Sequence, residues 1–208
     1  MSFFTQLARW LGPRGQRRPH TPTRRVRLRP TLEALETRDL LSTLAVTNLL
    51  DTGVSGDGSL RGEIAAAASG DRIVFADSLA GQTITLNPGL GPLLLNKDLT
   101  IQGPGADKLT ISGNNATEVF DIPGGTVTIT GLTIADGKAS FSGGGISNDG
   151  TLTITNSTLS DNHADYSGFG GGGIVNGGTL TVCNSTLFGN TADGSTGGGI
   201  YNFGGGQW

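Results

Sequence analysis

The sequence predicts an all-β fold, a right-handed, single-stranded parallel β-helix that begins with a short capping α-helix. Glycine accounts for 36 of the 208 residues, well above its usual share of about 7 %, and it lacks the strict three-residue period of collagen. Short alternating segments rich in Thr, Ile, Leu and Val are separated by Gly, Asn and Asp, a pattern typical of short strands joined by tight turns. Similar units recur at intervals of 25 to 28 residues, as expected for a solenoid.

The repeat is clearest in a glycine-rich unit that occurs three times. Residues 143–148 read GGGISN, residues 171–176 read GGGIVN and residues 197–202 read GGGIYN. Stacking these units in register would pair the strand edges and bury the apolar side chains together. The isoleucines are expected to form an inward ladder, and the asparagines a ladder at a turn with amides bonded along the stack. The two ladders consist of Ile146, Ile174 and Ile200, and of Asn148, Asn176 and Asn202.

Composition divides the chain into three zones. We expect residues 1–42, rich in Arg and Pro, to be a disordered basic segment that serves export or sorting. Residues 43–72 are expected to form an N-terminal cap, a strand followed by a helix over 59–69 with Ser59 as its N-cap. Residues 73–208 are expected to form about five coils of β-helix. The sequence stops inside a coil, which predicts a truncated piece of a longer protein.

The charge distribution limits the kinds of binding partner, and the cysteine content limits the disulfides that the chain can form. Residues 1–42 carry a net charge of +6, whereas residues 43–208 carry −9. An acidic folded part would repel a polyanion, so we expect no nucleic-acid partner. Cys183 is the only cysteine, which excludes an internal disulfide, and we expect it on the outer face. No run of 18 apolar residues occurs, so the sequence predicts no transmembrane helix.

Two segments near the N-terminus resemble those of exported bacterial proteins. Residues 32–42, LEALETRDLLS, resemble an element near the start of large exported proteins of planctomycete-type bacteria. Residues 57–64, DGSLRGEI, followed by GDRIVF at 70–75, resemble the CSLREA-type cap of exported right-handed β-helix proteins. The resemblance implies that the chain is exported and that its N-terminal end is read by an export or anchoring system.

The glycine-rich units resemble the repeats of polymorphic outer-membrane proteins, whose signature is GGA-I followed by F-x-x-N. Here LSDN at 159–162 and LFGN at 187–190 stand in the second part of that signature, with Leu in place of Phe. The resemblance implies a pectate-lyase-like β-helix that is secreted or held at a bacterial cell surface or outer membrane. It implies an adhesive or structural scaffold that contacts polysaccharide or cell-surface components. The alternative is a polysaccharide-binding or polysaccharide-degrading β-helix.

The sequence offers few candidate catalytic or metal-binding residues. Asp136 and Asp161 align at an offset of 25 residues, so they would lie on adjacent coils about 5 Å apart. That separation suits a retaining glycosidase pair or a calcium site, and the alternative is a pair of solvated turn residues. No other cofactor is expected, and the sequence favours a scaffold over an enzyme.

Aromatic residues offer a second, weaker candidate. Tyr166, Phe169 and Tyr201 could form a small strip for sugar contact, and loop packing is the alternative. His163 follows a turn and is expected to be an ordinary surface residue. Asn156 and Asn184 are expected to form a second asparagine ladder.

Overall fold

A computed structural model describes residues 41–140, 143–165, 170–193 and 197–203. All but the last two residues of the basic segment 1–42 lie outside the described residues. In chain order the first half contains β1 (Thr43–Val46), α1 (Leu60–Ala66), β2 (Arg72–Phe75), β3 (Gln82–Thr85), β4 (Leu93–Leu94), β5 (Leu99–Gln102), β6 (Leu109–Ser112) and β7 (Phe120–Ile122), with 3₁₀ turns at Asp77–Leu79 and Pro88–Leu90. The second half contains β8 (Thr126–Thr130), β9 (Thr133–Ala135), β10 (Lys138–Ala139), β11 (Ile146–Asn148), β12 (Thr151–Thr155), β13 (Thr158–Ser160), β14 (His163–Ala164), β15 (Ile174–Asn176), β16 (Thr179–Cys183), β17 (Thr186–Phe188), β18 (Thr191–Ala192) and β19 (Ile200–Asn202).

The strands form four parallel sheets, each built from one strand per coil. Sheet A has the order β1-β2-β5-β8-β12-β16, sheet B β3-β6-β9-β13-β17, sheet C β4-β7-β11-β15-β19 and sheet D β10-β14-β18. Every strand pairs with its equivalent in the next coil. The predicted right-handed parallel β-helix is therefore confirmed. Sheet A has six rungs because β1, which the sequence assigns to the cap, pairs in register with β2.

The core is a column of aliphatic side chains that alternate with outward polar residues. In β12, Leu152 and Ile154 are fully buried, whereas the threonines on either side of them face outward. Each fully buried aliphatic side chain contributes about 1.5–3 kcal/mol relative to exposure. The strands are too short to be stable alone, so this column, shared by all coils, is what holds the stack together.

The capping helix covers the N-terminal end of this column. Its N-cap is Ser59, whose hydroxyl accepts a hydrogen bond from the Gly62 amide at 3.0 Å. Leu60 and Ile64 are buried in the core. The helix ends at Ala66, earlier than the predicted 69, where the backbone becomes extended at Ala67. The ammonium group of Lys97 binds the carbonyls of Ile64 and Ala67 at this end. No helix in the described part of the chain is long and apolar enough to cross a membrane.

Glycine triplets line the corner that precedes sheet C. A Cβ atom on Gly144 would lie 2.3 Å from the carbonyl oxygen of His163, and one on Gly172 would lie 2.0 Å from that of Thr191. Both distances are far below van der Waals contact. The triplets therefore let each corner approach the backbone of sheet D, which no larger residue would permit.

Candidate functional site

The predicted ladder residues lie on adjacent strands. Ile146 pairs with Ile174, which pairs with Ile200, in successive coils of sheet C. The Asn148 amide donates to the Asn176 carboxamide oxygen, and the Asn176 amide donates to that of Asn202 at 2.8 Å. The Asn148 oxygen is buried and has no hydrogen-bond partner in the described part of the chain, because the equivalent residue one coil earlier is Ile122. These contacts link coils along the stack and present no reactive group to solvent.

A third asparagine pair, Asn162 and Asn190, also links successive coils and was not predicted as a ladder. Asn162 is fully buried, and its amide donates to the Asn190 carboxamide oxygen at 2.9 Å. Its own oxygen accepts from the Gly137 amide at 2.8 Å. Both asparagines occupy the last position of the repeat segments 159–162 and 187–190. The F-x-x-N part of the repeat signature was the signal that could have identified them.

The candidate aspartates occupy equivalent turn positions in successive coils. Asp136 follows Ala135 and Asp161 follows Ser160, two residues that pair between β9 and β13. Both adopt positive φ, 50° and 57°, a conformation that Asp and Asn enter more readily than most other residues. Asp136 also accepts a hydrogen bond from the Ser112 hydroxyl at 3.0 Å. This geometry gives both residues a local role in shaping the turn.

The candidate aromatic strip is described only in part. Tyr166 and Phe169 lie outside the described residues. Tyr201 stacks on Phe203, with 6.2 Å between ring centroids. Tyr201 therefore has an aromatic neighbour that follows it in sequence. Cys183 is exposed on the outer face of sheet A.

The outer face of sheet A carries the most regular surface among the described residues. Strands β8, β12 and β16 pair in full register over five positions. Three outward positions per strand give nine sites, and eight of them are threonine; Cys183 is the ninth. We call these eight residues the threonine face: Thr126, Thr128, Thr130, Thr151, Thr153, Thr155, Thr179 and Thr181.

The dimensions of the threonine face follow from the sheet itself. Hydroxyl and methyl groups repeat about every 4.8 Å across the strands and about every 6.8 Å along them. β5 extends the surface by one coil with Thr100 and Gln102, which pair with Thr128 and Thr130. In sheet A, none of the outward residues of β5, β8, β12 and β16 is charged, although the chain from residue 43 onward is acidic overall.

A carboxylate cluster lies on the outside of sheet C. Burial raises the pKa of Glu118 to about 9, and the nearby Asp121 carboxylate adds to the shift. The Glu118 Oε1 atom is buried and has no hydrogen-bond partner among the described residues. The pKa of Asp121 is also raised, first by burial and then by the charge of Asp149. At neutral pH the cluster therefore holds at least one protonated carboxyl group, on Glu118.

The edge formed by sheet D brings together a different set of groups. His163, Asp165 and Asp193 place one nitrogen and two carboxylate oxygens within 4.8 Å of one another. This is the group of described residues whose donor atoms best suit a metal ion. The sequence marked His163 only as a surface residue and did not single out the two aspartates.

A cleft lies between the capping helix and the first coil. It has a volume of about 290 Å³ and is lined by residues of α1 and of the segment 93–97. Its two cations are already engaged: Arg61 forms a two-pronged ion pair with Asp51 at 2.7 and 2.9 Å, and Lys97 binds helix carbonyls. The cleft is therefore a structural junction.

Comparisons with known proteins identify no relative. No protein-family model matches the sequence, and no curated protein or solved structure is significantly similar to it.

Proposed function

We propose that the protein is an exported bacterial surface module that adheres to uncharged extracellular polysaccharide through its threonine face. The observation that carries this proposal is the register of β8, β12 and β16, which aligns eight threonines into a flat, uncharged array. Such an array suits an extended ligand with repeating hydroxyl groups better than a small molecule, which requires a concave pocket.

The chemistry of threonine supports this choice. Its hydroxyl both donates and accepts hydrogen bonds, as sugar hydroxyls do, and its methyl group can cover the apolar faces of sugar rings. The side chain is β-branched and restricted in χ1. Binding would therefore immobilise little side-chain freedom, which lowers the entropic cost of association.

The absence of charge on these strands defines the class of polysaccharide. A neutral surface on an acidic protein has no attraction for anionic polymers such as pectate or alginate. We therefore expect binding to insoluble neutral polysaccharides, with cellulose and chitin as the probes. The interaction should change little between low and high salt, because it contains no ion pairs.

The test is a pull-down of the full chain on each polymer with paired variants. Thr153→Lys places a charge at the centre of the threonine face and should abolish binding. Thr158→Lys is the matched control, because Thr158 lies in the same coil but on sheet B, and it should bind like the wild type. Equal binding by the two variants, or a preference for pectate, would overturn the proposal.

Export is part of the proposal and rests on residues 1–42. This segment combines a net charge of +6 with the LEALETRDLLS element. Fusing residues 1–42 to a reporter protein and fractionating the cells tests it directly. The reporter should move to the envelope or the medium, and Arg38→Glu with Leu40→Ala should keep it inside.

A second candidate function, polysaccharide hydrolysis, is favoured by the Glu118 cluster. A protonated carboxyl group beside an ionisable one is the arrangement that supplies a general acid and its partner. In this case Glu118 would protonate the leaving oxygen and Asp121 would act as base or nucleophile. Release of reducing ends that Glu118→Gln abolishes, and that Asp161→Asn leaves intact, would support hydrolysis at this cluster. Loss of activity in Asp161→Asn would instead point to the Asp136 and Asp161 pair.

A further inference from the structure

The edge formed by sheet D carries an ordered set of polar side chains on successive coils. Lys138, His163 and Thr191 occupy the same position on β10, β14 and β18. Asp165 and Asp193 stand two positions after His163 and Thr191 in their coils. Their amides continue the ladder, donating to the carbonyls of Ala139 and Ala164 at 2.9 Å. The backbone therefore fixes the spacing of these side chains from one coil to the next.

Two carboxylates converge on one imidazole nitrogen. His163 Nε2 lies 2.8 Å from Asp165 Oδ1 and 3.4 Å from Asp193 Oδ2. A tetrahedral ion with bonds of about 2.0–2.1 Å separates its ligand atoms by about 3.3 Å. The two observed separations lie on either side of that value, and all three ligand atoms lie within 4.8 Å of one another.

The atoms of His163 and Asp165 that face away from the cluster already have polar partners. The other ring nitrogen of His163, Nδ1, lies 2.7 Å from the Thr191 hydroxyl. When Nδ1 donates its hydrogen there, Nε2 presents a lone pair to the cluster. Lys138 Nζ lies 3.1 Å from Asp165 Oδ2 and leaves Oδ1 free to face the histidine. Such outer contacts typically orient metal ligands.

From this geometry we propose that His163, Asp165 and Asp193 form a Zn²⁺ site that joins two successive coils. One imidazole and two carboxylates suit zinc, whereas calcium and magnesium prefer oxygen ligands alone. His163 and Asp165 belong to one coil and Asp193 to the next. The ion would clamp the turns that follow β14 and β18. The partial exposure of Asp193, 72 % of its side chain, leaves a coordination position open to water.

Zinc titration of the metal-free full chain tests the site by calorimetry, with thermal unfolding as a second readout. We expect one ion per chain and a rise in melting temperature, and Ca²⁺ at the same concentration should give neither. His163→Gln and Asp193→Asn should each weaken zinc binding by at least 100-fold. Thr191→Val, which removes the partner of Nδ1, should weaken it by about 10- to 100-fold.

Matched controls test two other exposed groups that could bind zinc. Cys183→Ser and Asp107→Asn, each of which removes an exposed ligand atom away from sheet D, should bind zinc like the wild type. Replacing zinc by Co²⁺ should give the visible absorption of a tetrahedral nitrogen and oxygen site. Because Asp193 is exposed, Asp193→Asn should fold like the wild type. It therefore tests the zinc site even if His163→Gln fails to fold. Absence of zinc binding, or unchanged binding in Asp193→Asn, would overturn the proposal.

Discussion

The Asn162 side chain joins three coils, and its amide lies 2.9 Å from the carboxamide oxygen of Asn190. On the preceding coil the same amide donates to the Ile134 carbonyl, and the carboxamide oxygen accepts from the Gly137 amide. Because Asn162 is fully buried, water cannot replace these partners. Its side chain therefore substitutes for backbone pairing at the turn before sheet D.

Truncating the Asn162 side chain should lower the free energy of unfolding. Asn162→Ala leaves the Gly137 amide and the Ile134 carbonyl without their partner, and each unsatisfied buried group costs about 1–3 kcal/mol. We expect the free energy of unfolding to fall by about 2–4 kcal/mol in urea titrations. Asn115→Gly is the control, because Asn115 is exposed and has positive φ, and its effect should stay within a few tenths of a kcal/mol. Similar losses for the two variants would contradict this account.

Stability should depend on pH through Glu118. Its pKa is about 9 in the folded protein, against an ordinary value of about 4.3 in the unfolded chain. Between these values the folded protein keeps a proton that the unfolded chain has released, so the free energy of unfolding falls as pH rises. The slope contributed by this group is at most about 1.4 kcal/mol per pH unit.

Urea unfolding at pH 5, 7 and 9 measures this dependence. Glu118→Gln keeps the shape of the side chain but does not titrate, so its stability profile should be flatter than that of the wild type. Asp107→Asn, at an exposed site, should follow the wild type. Parallel profiles for the wild type and Glu118→Gln would rule out Glu118 as the source.

The end of the capping helix depends on Lys97. The Nζ atom lies 2.8 Å from the Ala67 carbonyl and 3.2 Å from the Ile64 carbonyl, at the negative end of the helix dipole. Lys97→Met retains an apolar stem but loses these bonds, and it should destabilise the protein by about 1–2 kcal/mol. Lys108→Met, at an exposed position, should be nearly neutral. The comparison is made by thermal unfolding at matched salt.

The glycine triplets should not tolerate even one methyl group. A Cβ at position 172 would meet the Thr191 carbonyl at 2.0 Å, so Gly172→Ala must displace backbone and should cost about 1–3 kcal/mol. At Gly124 a Cβ meets nothing within 4 Å, which makes Gly124→Ala the appropriate control. Equal unfolding midpoints in urea would show that the corner is looser than its geometry indicates.

The register of the coils was predictable because stacking repeats the same environment at each rung. Ile146 and Ile174 share a position in the core, and the sequence repeats the residue there. The same logic predicts the outward threonines, although their significance as a surface depends on knowing that three coils align in full. Helix α1 ends earlier than its sequence indicates, where the backbone becomes extended at Ala67. The contact of Lys97 with the carbonyls at this end joins residues 30 or more positions apart, which local pattern does not show.

The polar clusters were not predictable from local pattern. Glu118 contacts the backbone of Ser147, which belongs to the next coil, and nothing in the residues beside Glu118 in sequence indicates a low-dielectric site. The proposed zinc site combines His163 with Asp193, 30 positions later. A weak signal was present, since Lys138, His163 and Thr191 each precede an alanine at the same place in their units.

From β10 onward, the differences in repeat length fall at one corner of the coil. Between sheets D and C the connections span residues 140–145, 165–173 and 193–199, whereas the links from C to A, A to B and B to D keep the same length in these coils. A segment inserted at that corner would leave the phase of every rung unchanged. The molecule can therefore diversify its loops there, beside the histidine and the glycine triplets, while the rest of the solenoid stays constant.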